Sequence, residues 1–172
     1  FTAELTEILA ERAAAGVEGR LLYDALGSRV GLSRRYLAEM KSAGIQMVPT
    51  SPLYRLHTIG YRNHRKITVI DGRIGYTGGM NIGREHIDGG SGYASWRDTQ
   101  LRIVGDGARL LQSVFMVDWY NAARQDLFSE AYFPASTDAP GGEEVPVQIL
   151  TSGPDSEWAA IRQLYFAMIG TA

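Results

Sequence analysis

The sequence predicts an α/β fold, an α/β/α sandwich built on a mixed β-sheet, and three observations carry that expectation. Segments with apolar residues at helical spacing alternate along the chain with short β-branched runs. Two of those runs flank Asp71-Gly72, a dipeptide suited to a tight hairpin turn. The 172 residues, 45% of them hydrophobic and 21% charged, suffice for one domain with a buried core.

Taken in order, Leu5, Ile8, Leu9 and Ala13 mark a first helix, and Arg20 to Leu26 reads as a buried strand. Ser33 is placed to cap a second helix running to about Ala43, after which Gly44 releases the chain into a strand over Ile45 to Val48. Lys66 to Ile70 and Arg73 to Thr77 form the two arms of the hairpin. A polar, glycine-rich loop from Asp88 to Ser95 leads into a strand over Thr99 to Val104. Asp106 then opens a long helix whose Leu110, Leu111, Val114, Phe115, Trp119 and Ala122 make one apolar stripe, read as core. Pro134 to Glu144 has the composition of an exposed connection; a strand over Val145 to Leu150 and a helix from about Asp155 follow.

In that last helix Trp158, Ile161, Leu164, Tyr165 and Met168 repeat the amphipathic pattern with which the chain began. Residues 1–150 are therefore expected to form one repeat, and 151–172 the opening of a second. The chain starts without methionine and stops on an unfinished helical pattern, so it reads as a piece of something longer, with any membrane anchor lying outside it. Trp96, Trp119 and Trp158 are all expected to be packing residues.

Bulk properties narrow the function. A net charge of −2 argues against a nucleic-acid coat, because neutralising phosphates along a duplex takes a basic excess. With no cysteine, disulfides and thiolate metal sites are excluded. No apolar run approaches the roughly 20 residues needed to cross a bilayer. Arg55, Arg62, Arg65, Lys66 and Arg73 form a basic cluster, of which alternation sends Arg65 to the face opposite Lys66, as ordinary solvated surface.

The hairpin carries the chemistry. Residues two apart in a strand share a face, so His64 and Lys66 project together. If Asp71-Gly72 is a two-residue turn, Lys66 lies opposite Thr77, His64 opposite Gly79, and Asn81 one diagonal step from His64. Cross-strand neighbours are about 5 Å apart and diagonal ones about 7 Å, distances a phosphate group can bridge. An imidazole can attack phosphorus, an ammonium can balance charge on the non-bridging oxygens, a carboxamide can donate further hydrogen bonds, and Gly79 leaves room for a ligand. His57 and His86 match no pattern and are read as non-catalytic.

This spacing, His64-x-Lys66, Asp71, then Gly78-Gly79-x-Asn81, resembles the HKD signature of the phospholipase D superfamily. Arg62-Asn63-His64-Arg65-Lys66 and Tyr76-Thr77-Gly78-Gly79-Met80-Asn81-Ile82-Gly83 are similar to cardiolipin synthases in particular, as are Leu22-Tyr23-Asp24, Trp96-Arg97-Asp98, Asp118-Trp119 and Ser152-Gly153-Pro154-Asp155. The resemblance implies that His64 is the nucleophile or its acid/base partner, that Lys66 and Asn81 bind phosphate oxygens, and that Asp98 holds the second ring nitrogen of His64. Asp71, at the turn, is given a structural role. Gly79 stands where many superfamily members have serine, so a backbone N–H there would have to contact the phosphate.

The implied reaction is exchange of phosphatidyl groups between phosphatidylglycerol molecules through a phosphohistidine, with no metal and no cofactor. The implied partners are a phospholipid substrate, a second HKD half in the same protein or a homodimer partner, and a membrane surface reached through the full-length protein in the bacterial cell membrane, this piece being soluble by itself; no nucleic acid is expected. Two other readings stay open at this level: a single-motif nuclease acting as a homodimer, and a non-enzymatic lipid-headgroup binding module.

Overall fold

Ser33 caps its helix as the sequence predicts, and the first parallel unit is built around it. The computed structural model describes residues 2–28, 31–51, 62–83, 86, 89, 95–135, 144–154 and 156–172. Helix α1 (Thr2–Ala14) leads to strand β1 (Arg20–Asp24), helix α2 (Arg34–Ser42) and strand β2 (Gln46–Thr50), which pairs with β1 in parallel. The Ser33 hydroxyl accepts the Tyr36 N–H at 3.1 Å, meeting one of the unpartnered donors of the first turn of α2. Gly44, at φ +88°, turns the chain out of the helix. Met40 and Ile45 on either side of that exit are buried.

The second sheet is antiparallel, in the order β3 (Ile67–Ile70), β4 (Ile74–Gly78) and β5 (Gln100–Val104). The mixed α/β class therefore holds, compatible with an α/β/α sandwich, with its parallel and antiparallel pairings in two separate sheets. Helix α3 (Asp106–Ala123) packs against β2 of one sheet and all three strands of the other. Its Ala108, Leu111, Gln112, Met116 and Trp119, which recur at helical spacing, form the buried face. Leu110, expected in that stripe, is instead 48% exposed, because the buried arc is centred about one residue further round the helix.

Trp119 is fully buried, lies 5.9 Å from Phe115 ring to ring, and donates its indole N–H to Gln125 Oε1 at 3.1 Å. Each buried aliphatic side chain such as Met116 or Leu111 contributes roughly 1.5–3 kcal/mol. Gln112 is the polar member of this face; its amide donates to the carbonyl of Tyr132 in a short 3-10 turn (Glu130–Tyr132), so the chain after α3 is held onto the helix.

Four expectations need correction. The strand expected over 20–26 stops at Asp24, where the carboxylate folds back to accept the N–H groups of Leu26 and Gly27, and its residues are half-buried rather than buried. No strand forms over 145–150: Pro146 has no N–H to donate, and Val145 is 71% exposed. The last helix, α4 (Ala160–Thr171), begins later than predicted. Trp158, read as packing, is 66% exposed. Arg55, His57, most of the loop at 88–95 and most of the connection at 134–144 lie outside the described residues. Among the described residues no helix is long and apolar enough to cross a membrane.

Candidate active site at one end of the antiparallel sheet

An antiparallel ladder returns the start of β3, the end of β4 and the start of β5 to the same edge, and most of the singled-out residues lie there. The register is Ile67 with Thr77 and Ile70 with Ile74, one residue off that of a two-residue turn. Asp71 and Gly72 both have positive φ, as a primed turn requires, and the Arg73 N–H closes the turn on the Ile70 carbonyl at 3.0 Å. Arg73 does not pair with Ile70, however: its carbonyl accepts the N–H of Gly105 at 3.3 Å, at the junction of β5 and α3. Arg73 is thus an extra residue in the ladder, and Thr77, expected opposite Lys66, pairs with Ile67 instead. The next strand continues the row, since Gly78 pairs with Gln100.

Lys66 is half-buried, and its ammonium donates to the His64 carbonyl at 2.8 Å. Burial pushes its pKa below the ordinary lysine value, against an opposing pull from the negative charge of Asp98. His64, three residues before β3, is exposed. Asn81, beyond the end of β4, is exposed as well. Asp71 is exposed at the tip of the hairpin, at the end opposite Gly79.

Both glycines of the second block answer to packing within the protein. A Cβ on Gly78 would collide with the Thr99 carbonyl and come 2.9 Å from Gln100 Cα; one on Gly79 would fall on the Asp98 carboxylate. The space at Gly79 is therefore filled by Asp98, not left open for a ligand. The Gly79 N–H, expected to face phosphate, donates to the Thr99 carbonyl at 3.1 Å.

Asp98 accepts the Thr99 N–H at 2.7 Å and lies 3.5 Å from the Trp96 indole nitrogen. Its other neighbour is His86, whose Nδ1 is 3.6 Å from Oδ2 and whose side chain is only 4% exposed. The His86 and Trp96 rings meet edge-on at 5.3 Å. The histidine beside Asp98 is thus His86, where His64 was expected, and Trp96, taken as packing, belongs to this cluster. Nothing in the pattern pointed to His86, because spacing does not specify which histidine reaches Asp98. Gln100 was also missed; its Oε1 is buried and accepts no hydrogen bond among the described residues.

The segment around His64 is not strand, yet it is tied down on both sides. Arg62 pairs with Asp24 at 2.8 Å. Asn63 and Arg65 both donate to Asp118 of α3, at 2.6 and 2.7 Å. Arg65 is consequently an ion-paired residue, where alternation predicted solvated surface. Asp24 itself is held below the usual carboxylate range: burial pushes it up, but the Gly27 N–H, the Arg62 guanidinium and the Leu26 N–H together pull it down further. Among the described residues no group of three or more His, Asp and Glu is placed to hold a metal.

The chain is 44% identical to the cardiolipin synthase of Geobacillus sp. (strain WCH70), 42% identical to that of Geobacillus thermodenitrificans (strain NG80-2) and 40% identical to cardiolipin synthase 2 of Bacillus cereus (strain ATCC 14579). Each similarity covers 98% of this chain and 33 or 34% of the relative, so the chain spans about a third of the length of the curated relatives it matches. No family model matches it, and no solved structure matches it. Over nearly its whole length, this chain is similar to one third of a cardiolipin synthase.

Proposed function

We propose that the chain is the first HKD half of a phospholipase D-type phosphatidyltransferase that makes cardiolipin from two molecules of phosphatidylglycerol. The observation that supports this best is the grouping of His64, Lys66 and Asn81 toward one sheet edge in a chain similar to cardiolipin synthases over 98% of its length. A histidine nitrogen attacks the phosphorus of one phosphatidylglycerol, the bond from phosphorus to the glycerol oxygen breaks, and a second imidazole protonates the departing glycerol. A hydroxyl of the second phosphatidylglycerol then attacks the phosphohistidine, its proton passes to the second imidazole, and the phosphorus–nitrogen bond breaks to give cardiolipin.

In this reading His64 supplies one of the two imidazoles, and a second HKD half, in the same protein or in a partner copy, supplies the other. Lys66 and Asn81 hold the non-bridging oxygens, and Asp71 supports the turn. Asp98 acts on the site through the Lys66 charge and by filling the space at Gly79. Residues 1–150 form the repeat and 151–172 begin the next, with the membrane reached through the rest of the protein. Arg62 and Arg65 are neutralised by Asp24 and Asp118, which removes two cations from any nucleic-acid surface and favours a lipid phosphodiester over a nuclease substrate.

The test is conversion of phosphatidylglycerol to cardiolipin, followed by mass spectrometry, in membranes carrying a protein of the relatives' full length that includes this chain. Cardiolipin that forms with the wild type and is lost with His64→Ala is the expected result. Conversion that survives the substitution, or a folded wild type without conversion, overturns the reading.

A further inference from the structure

Asp118 has no place in the chemistry described above, although it lies on the central helix and both of its carboxylate oxygens are occupied. Arg65 Nη1 donates to Oδ1 at 2.7 Å and to Oδ2 at 2.8 Å, and Asn63 Nδ2 donates to Oδ2 at 2.6 Å. Asn63 Oδ1 in turn accepts the backbone N–H of Arg65 at 2.9 Å. These contacts form a closed ring through Asp118, Asn63 and Arg65, and the residue between its two chain members is His64. The carboxylate is well shielded, with 16% of its side chain exposed, while the Arg65 guanidinium that grips it stays partly open to solvent.

We infer that Asp118 is a positioning residue for His64, gripping the residues on either side of it so that the imidazole is held toward the sheet edge. The inference rests on the reading of His64 as a reacting group. Its physical basis is local. His64 lies outside the β3 ladder, so no strand pairing fixes its backbone. The Lys66 ammonium on the His64 carbonyl restrains one side only. The ring holds the side chains on either side of His64 and the Arg65 N–H that follows it, and ties them to α3, where Trp119 next to Asp118 is fully buried in the core. A rigid element thereby sets the direction of a side chain that sits on a loop, and a misplacement of about 1 Å in such a group can cost about 100-fold in rate.

The test uses two variants that break the ring at different members, Asp118→Ala and Asn63→Ala, beside wild type and His64→Ala. In the full-length protein both ring variants are expected to lower kcat for cardiolipin formation about 100-fold with little change in KM. Their melting temperature should stay close to that of the wild type. In the 172-residue chain, NMR couplings of the His64 side chain should report one rotamer in the wild type and averaging in both variants. Asp118→Asn, whose carboxamide oxygen can still accept from Arg65, should recover part of the rate.

Ring variants with wild-type kcat and an unaveraged His64, in a protein that His64→Ala inactivates, overturn the inference while leaving the proposed function standing. A parallel loss of kcat and melting temperature overturns it too, by showing a purely structural role. If Asp118→Ala does not fold, Asn63→Ala decides by the same readings. A wild type that makes no cardiolipin defeats the proposed function instead, and the His64 couplings still decide whether Asp118 positions the ring.

Discussion

Lys66, proposed to hold phosphate oxygens, carries a thermodynamic cost. Burial lowers its pKa in the folded chain, with Asp98 pulling the other way. Between the folded and unfolded values the folded state binds fewer protons, so the charge costs stability at neutral pH and the cost fades as pH rises through the folded value. Lys66→Met should therefore raise the calorimetric melting temperature at neutral pH while abolishing lipid exchange. A lower melting temperature would mean that the bond from Lys66 to the His64 carbonyl matters more to the fold than desolvation does. At this scale the gathering of His64, Lys66 and Asn81 toward one end of the hairpin could be read from spacing, because it is local. The use of Gly79 was not: the collision that demands glycine comes from Asp98, far away in sequence, and no spacing rule brings that carboxylate, or His86 beside it, to the end of β4.

The hairpin shows how an element can be legible in kind and not in register. Runs rich in β-branched residues on either side of Asp71-Gly72 specify two strands and a primed turn, and both are present. The extra residue at Arg73 depends on Gly105 reaching its carbonyl, a contact between distant parts of the chain. Gly72 makes the turn sensitive to substitution on two counts. Its φ is +64°, where a Cβ is disfavoured, and a Cβ there would lie 2.8 Å from the Tyr132 carbonyl and 3.0 Å from Pro134 Cδ. Gly72→Ala should thus destabilise the protein by about 2 kcal/mol or more, from the left-handed backbone and the displaced 3-10 turn together. A denaturant midpoint equal to that of the wild type would show that the turn relaxes without strain. The missing strand at 145–150 has a related lesson: β-branched residues mark extended chain, but a strand also needs donors and a partner, and Pro146 withholds one of those.

Across the whole molecule, the order of helices and strands followed from periodicity, whereas the way the two sheets are joined did not. The joining is done by α3 and by Arg62, which reaches Asp24 at the end of β1; the same segment before β3 also sends Arg65 to Asp118 on α3. Periodicity cannot reveal such pairs, since each links residues remote in sequence. The first of them makes the assembly sensitive to acid. Asp24 has its pKa lowered in the folded state, so between that value and the unfolded value of about 4 the unfolded chain binds more protons. Its contribution to stability is then complete above the unfolded pKa and is lost as pH falls through the folded one. Asp24→Asn should lower the urea midpoint clearly at pH 7, and the gap from the wild type should narrow as both are titrated below pH 4. An equal gap at both ends of that titration would show that the Asp24 side chain acts through its shape and its turn hydrogen bonds, with its charge and the tie to Arg62 contributing nothing to holding the His64 segment against the first sheet.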